Sequence, residues 1–210
     1  MQALLKRLYR QETEQDARVQ AQRNALAAAQ AVVPEGAALQ ALNSQRYLAV
    51  APEVGRLIYL LVRSHRPHLA VEFGASMGIS AIHIAAALRD NGQGRLITTE
   101  SNLKKTPHAL RHLEEAGLAD LVELRVGDAF ETPRDVNRID LLLLDGWKPL
   151  YLPLLRQLEP KLAPGCLILA DDTILAAAAM EDYLAYVRDP RNGYVSCPIP
   201  IDDGLELSIR

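Results

Sequence analysis

Six acidic residues, Glu72, Glu100, Asp128, Asp145, Asp171 and Asp172, each close or follow a short apolar run. If those runs are strands of an open parallel sheet, their carboxyl ends share one rim, and that rim is where such sheets bind ligands. Carboxylates crowded on one rim repel each other unless cations compensate. Two cations would answer that need: a positively charged small molecule and a divalent metal. Asp145, Asp171 and Asp172 offer only oxygen atoms, on two adjacent strand ends, which suits a hard ion such as magnesium. Aspartate is also a good helix cap, so Asp171 and Asp172 could instead open the helix that follows.

The acid nearest the start belongs to the stretch LAVEFGASMGIS, Leu69 to Ser80. It reads as a buried strand, a glycine turn and an apolar helix, the opening unit of a nucleotide-type α/β fold. Gly74 and Gly78 let backbone approach a ligand closely because neither carries a Cβ. The pattern Glu72-x-Gly74-x-x-x-Gly78-x-Ser80 is not the G-x-G-x-x-G that aims helix N–H groups at a pyrophosphate. A carboxylate beside a pyrophosphate would be repelled, whereas it suits a ligand carrying an amine, hydroxyls and a positive charge. S-adenosylmethionine (SAM) is such a ligand. Glu100, at the end of the next strand, is placed to accept hydrogen bonds from a ribose; it could also be a plain helix N-terminal acid. Asp128, in the turn Gly127-Asp128-Ala129, would bind an adenine amine or merely cap its own turn.

The elements that must position these residues follow in order. Residues 1 to about 32 read as a helix, weakly striped by Leu4, Leu5, Leu8, Leu26, Ala29, Val32 and Val33 and ended by Pro34-Glu35-Gly36. Its polar middle could be a solvated arm, a cofactor lid or a dimer contact. Leu39 to Val50 reads as a short helix plus a loop, and Pro52 opens a helix with Val54, Leu57, Ile58 and Leu61 on one face. Strands are expected at Arg95–Glu100, Leu121–Val126, Ile139–Asp145 and Cys166–Ala170, separated by helices that end near Gly117, Leu162 and Arg188. Leu110 and Leu113 should face inward on the first of these. Ile139 to Leu144 is apolar almost throughout, as a strand buried on both faces must be. Asp202-Asp203-Gly204 between Tyr194–Ile201 and Leu205–Arg210 is a hairpin signal. The expected fold is therefore α/β, a mostly parallel sheet ending in an antiparallel hairpin.

With 210 residues, 49% of them apolar, the chain suits one domain plus a small appendage. A net charge of −3 without a basic patch makes nucleic acid an unexpected partner. No apolar run approaches the ~18 residues of a membrane span, and the charged start does not read as a signal peptide. Cys166 and Cys197 both fall in apolar runs and read as reduced core residues of a cytoplasmic protein.

Four motifs in order carry a specific resemblance: the glycine turn, Asp145-x-Trp147-Lys148, the run APGCLILADDT, and Asp203-Gly204-Leu205-Glu206. From about Val50 to the end, the chain resembles the catechol O-methyltransferase and caffeoyl-CoA O-methyltransferase family. The resemblance implies the class I SAM-methyltransferase fold, a Rossmann-like sheet of seven strands with helices on both faces. It implies a cytoplasmic enzyme that methylates a hydroxyl of a small catechol-like acceptor with SAM and a divalent metal. Residues 1–50 would be an N-terminal helical lid or dimerisation segment, as in bacterial members that form homodimers, and 51–210 the SAM-binding domain. Glu72, Gly74, Ser76, Gly78 and Ser80 would line the methionine end of SAM together with Asp145. Glu100 would hold the ribose, and Asp128 and Ala129 would flank the adenine. Asp145, Asp171 and Asp172 would bind the metal. Lys148 would be the general base, which requires that its pKa be lowered by nearby positive charge. Glu206 would accept a hydrogen bond from the second acceptor hydroxyl. Asp172 departs from the family's usual asparagine and adds negative charge. Gly146 replaces a bulkier residue, and with Trp147 the only tryptophan, a second aromatic wall would be missing or come from Tyr47 or another tyrosine.

Overall fold

The structure is a computed structural model that describes residues 1–28 and 46–210, with only the backbone of 22–28. The expected features at Ala29, Val32, Val33, Pro34–Gly36 and 39–45 lie outside the described residues, as does the side chain of Leu26. In chain order the strands are β1 (Leu69–Phe73), β2 (Arg95–Glu100), β3 (Val122–Val126), β4 (Ile139–Leu144), β5 (Leu162–Asp171), β6 (Val195–Ile199) and β7 (Leu205–Ile209). They form one seven-stranded sheet in the order β3-β2-β1-β4-β5-β7-β6. β1 to β5 pair in parallel, and β7 runs antiparallel between β5 and β6. The terminal hairpin is thus inserted: its last strand, not its first, touches the parallel sheet. The strand order reverses between β1 and β4, the topological switch point beside which such sheets form a crevice.

The helices are α1 (Gln2–Ala28), α2 (Pro52–His65), α3 (Ile79–Asn91), α4 (Thr106–Glu115), α5 (Tyr151–Leu158) and α6 (Glu181–Arg188). α3 is buried along its length from Ile79 to Leu88, because α2 covers the side that the sheet does not. Its alanines keep those layers close. Gly55 on α2 does the same: a Cβ there would fall 2.4 Å from the His83 ring of α3. Val54 and Ile58 fill the α2 face of this layer, with Leu57 and Leu61 partly buried against it. α5 and α6 cover the opposite face of the sheet, around Leu142, Leu144, Ile168 and the edge-to-face ring pair of Tyr151 and Tyr183.

Leu4, Leu5 and Leu8 of α1 belong to the same buried cluster as β1 and α3. Further along α1, polar side chains grip the chain at 46–49. Gln15 Oε1 accepts from the Tyr47 N–H at 2.9 Å, Glu12 Oε1 from the Ala49 N–H at 2.8 Å, and Gln11 Oε1 from the Tyr47 hydroxyl at 3.0 Å. Asp16 pairs with Arg46 at 2.7 Å.

Three local expectations are corrected. Leu113 is buried but Leu110 is 42% exposed, because α4 packs by Ala109, His112 and Leu113. The segment after Asp172 is not one helix from Leu175: a short 3-10 turn at Ala177–Ala179 precedes α6. Cys166 is buried, but Cys197 is exposed, since β6 is the sheet edge.

Candidate active site

Most of the acids at the strand ends lie in two clusters around the switch point, close enough that Glu72 of the second still repels Asp145 of the first. In the first, one oxygen each from Asp145, Asp171 and Asp172 lies within 4.8 Å of the others. Asp145 follows β4 and its N–H donates to the Phe73 carbonyl at 2.9 Å, which fastens it to the end of β1. Asp171 ends β5, and Asp172 turns the chain with φ +65°. The segment after it is tied to the β6–β7 turn: Thr173 N–H donates to the Gly204 carbonyl at 3.0 Å and Ile174 N–H to that of Asp203 at 2.8 Å.

Lys148 sits among these acids. Its Nζ is 2.8 Å from Asp172 and 3.6 Å from Asp145, and it donates to the Tyr151 hydroxyl at 2.8 Å. Burial drives the Asp145 and Asp171 carboxyls above the aspartate range, and their mutual repulsion and that of Asp172 push the same way. Burial also works against the Lys148 ammonium, yet Asp145 and Asp172 outweigh it and hold its pKa above the lysine value. The lowered pKa expected of a general base is therefore not what this arrangement produces; here Lys148 is a charged counter-ion. The donor set, three carboxylates each able to offer an oxygen, is chemically suited to a hard divalent cation. Trp147, Ile174 and Leu175, 63%, 61% and 69% exposed, leave apolar surface next to the cluster. Tyr47 is not a wall beside Trp147: its ring stacks on His112, centroids 6.3 Å apart.

The second group surrounds the glycine turn. Glu72 is fully buried in β1. One carboxylate oxygen accepts from the Thr98 hydroxyl, and Ser80 also hydrogen-bonds the carboxylate. The other oxygen, Oε1, has no partner. Burial pushes the Glu72 carboxyl up to about 7, against the hydrogen bonds from Ser80 and Thr98. A buried oxygen left unpaired calls for a donor, and a cationic one suits it best. Gly74, at φ +101°, is where a Cβ would fall 2.4 Å from the Asp145 carbonyl oxygen. Only glycine lets the turn lie that close to β4. Gly78 opens α3 at φ +83°. Ser76 donates its N–H to Glu100 at 2.8 Å and its hydroxyl to the Tyr47 carbonyl. The strap at 46–49 is thereby fastened to the turn. Glu100 also accepts the Asn102 N–H, at 2.7 Å.

Asp128 and Ala129 follow β3, beside Glu100, whose carbonyl accepts the Gly127 N–H at 2.9 Å. Ala129 is buried; Asp128 is exposed and its carboxylate accepts the Phe130 N–H at 2.8 Å, a turn-capping bond. Glu206 is corrected outright. It is fully buried in β7, bonded twice by Arg188 at 2.9 and 2.6 Å and by Ser196 at 2.6 Å. With both oxygens engaged and none exposed, it is a structural anion rather than a partner for an acceptor hydroxyl. Sequence reasoning missed Lys105, Thr98 and Tyr151. Lys105 is 5% exposed and donates to Ser76 Oγ at 3.0 Å. Its place before α4, next to a second lysine, reads as solvated surface.

Comparison with known proteins bears on this geometry. A methyltransferase-domain family model matches residues 71–173, from β1 past Asp171 and Asp172. Catechol O-methyltransferase of Sus scrofa is 34% identical over 152 residues, 69% of this chain and 80% of that protein. That of Mus musculus is 34% identical over 142 residues, 64% of this chain and 52% of the mouse protein, so the match spans about half of the latter's length. Among solved structures, the O-methyltransferase TomG from Streptomyces achromogenes, determined with SAM, superposes with a TM-score of 0.71 at 25% identity, covering 84% of this chain and 90% of TomG. No described helix is long and apolar enough to cross a membrane.

Proposed function

We propose that this chain, which belongs to the catechol O-methyltransferase and caffeoyl-CoA O-methyltransferase family, transfers a methyl group from SAM to one hydroxyl of a small vicinal dihydroxy acceptor. The observation that carries the reading is the convergence of Asp145, Asp171, Asp172 and Lys148 beside the glycine turn that holds the unpaired Glu72 oxygen. SAM supplies the methyl group on a sulfonium. A magnesium ion held by Asp145, Asp171 and Asp172 would supply the charge that lowers the acceptor's pKa and fixes its position.

The chain's own residues do the rest. Glu72 Oε1 holds the cofactor ammonium, and Glu100 the ribose hydroxyls while it keeps the Ser76 and Asn102 N–H bonds. Gly74 and Gly78 bring the turn close enough for backbone contact. Trp147, Ile174 and Leu175 cover the apolar body of the acceptor and thin the water around the reacting oxygen. Lys148 keeps its proton while Asp145 and Asp172 are ionised. With a divalent ion on those carboxylates the Lys148 pKa would fall, so that Nζ, its own proton released to solvent, would be placed to accept the hydroxyl proton. Alignment of oxygen and methyl carbon for in-line displacement is where most of the rate arises.

A methyl-transfer screen over catechols, hydroxycinnamates and their thioesters, with and without EDTA, tests the reading. Methylation of a vicinal diol that EDTA abolishes is expected; turnover indifferent to EDTA would remove the metal. The Asp172–Lys148 pair at 2.8 Å favours one alternative, a metal-independent methyltransferase in which the ammonium stands where the ion would. Calorimetric titration of magnesium in the presence of SAM separates the two.

A further inference from the structure

Lys105 has no role in the chemistry above, yet it is a buried cation at the cofactor turn. It immediately precedes α4, is 5% exposed, and donates to Ser76 Oγ at 3.0 Å. No carboxylate among the described residues lies within ion-pair distance of it; Glu100 and Asp145 act on it only from further off. An ammonium has three N–H donors, so two are left over. Keeping an under-bonded charge out of water is costly, and burial pulls its pKa down. The other cations nearby are committed: Lys148 to Asp172 and Arg46 to Asp16.

The same turn carries the complementary defect. Glu72 Oε1 is a buried anionic oxygen without a donor. Glu72 reaches the turn region through Ser80, and Lys105 through Ser76. One unsatisfied anion and one unsatisfied cation flanking a single glycine turn match a ligand that is itself a zwitterion. An α-amino acid group is one, with an ammonium and a carboxylate on the same carbon. We propose that Lys105 holds the carboxylate at the amino-acid end of the cofactor, opposite Glu72, which holds the ammonium. This rests on the SAM reading above and makes Lys105 a determinant of which adenosyl compounds bind. A cofactor analogue lacking the carboxylate should gain nothing from Lys105.

The test is calorimetric, on the whole chain, with two ligands: S-adenosylhomocysteine and its decarboxylated analogue, which keeps the amine. The unaltered protein should prefer the first on the order of tenfold or more, the scale of a desolvated charge pair. Lys105→Met should reduce that preference to within about twofold, by weakening S-adenosylhomocysteine while the decarboxylated analogue binds as before. Lys105→Gln, which can keep the bond to Ser76, should behave the same. Unchanged binding of the decarboxylated analogue also demonstrates that the turn is intact. Equal loss of both ligands in both variants, or no loss of either, overturns the assignment of Lys105. Failure of the unaltered protein to bind S-adenosylhomocysteine overturns the SAM reading, and this inference with it.

Discussion

Replacing Glu72 by glutamine should change how stability depends on pH, by an amount the structure sets. The carboxyl is fully buried and its pKa stands at about 7, against 4.5 for an ordinary glutamate. Because the folded value is the higher one, folding is favoured with the proton on. Stability from this group is complete below the unfolded pKa, declines as pH rises from about 4.5 through about 7, and is flat above. At about 1.4 kcal/mol per pH unit, the interval is worth about 3 kcal/mol. Asp171 slopes the same way in both proteins, while Asp145, which the Glu72 charge pushes up, relaxes with the substitution, so its change counts as part of the Glu72 effect. The amide also leaves an unpaired donor where Oε1 sat, a constant cost that does not vary with pH. The difference between the two proteins therefore isolates Glu72. Urea denaturation of both at pH 5, 6, 7 and 8, without cofactor, should show the parent losing about 2.5 kcal/mol more than Glu72→Gln across the range. Two parallel curves would mean that Glu72 is not an unmet buried charge, and the assignment of the cofactor ammonium to it would fail. Glu72→Gln should also bind SAM poorly, since it has removed the anion that the ligand satisfies.

Other outcomes are expected. Lys148→Met should lower kcat by on the order of a hundredfold or more with little change in SAM affinity by calorimetry; an unchanged kcat removes Lys148 from proton transfer. Asp171→Ala should abolish both magnesium binding and turnover, and magnesium affinity of the parent should rise with pH because the raised Asp145 and Asp171 carboxyls must lose protons first. Glu206→Ala should cost about 1–3 kcal/mol in denaturant titrations, from the lost hydrogen bonds and the space left in β7, with Arg188 free to turn to water because it is half exposed, while the acceptor KM of the folded fraction stays put. Gly74→Ala should cost roughly 2–4 kcal/mol, from the Cβ driven against the Asp145 carbonyl.

The sheet was legible because its signals are local. Runs such as Ile139–Leu144 are apolar on both faces, and each parallel strand hands over to an acid at its carboxyl end. The same logic foresaw Asp145, Asp171 and Asp172 converging. What escaped depends on contacts between distant segments. Glu206 reads as a site acid in its motif, but Arg188 and Ser196, from neighbouring elements, engage it. Lys105 reads as surface until Ser76, from another loop, closes over it. The Lys148 pKa followed the acids around it rather than the cation imagined beside it. Cys197 looked like core only because β6 could not be known as an edge.

The chain at 46–49 is held on two sides, by Gln11, Glu12, Gln15 and Asp16 of α1 and by the Ser76 hydroxyl. It works as a keystone between the first helix and the turn where the cofactor is proposed to rest. Linkage is reciprocal: whatever steadies the turn must also make α1 harder to peel away, and shaving α1 back must loosen the ligand. Protease resistance of the first helix is thus a gauge of occupancy at a place the protease never touches.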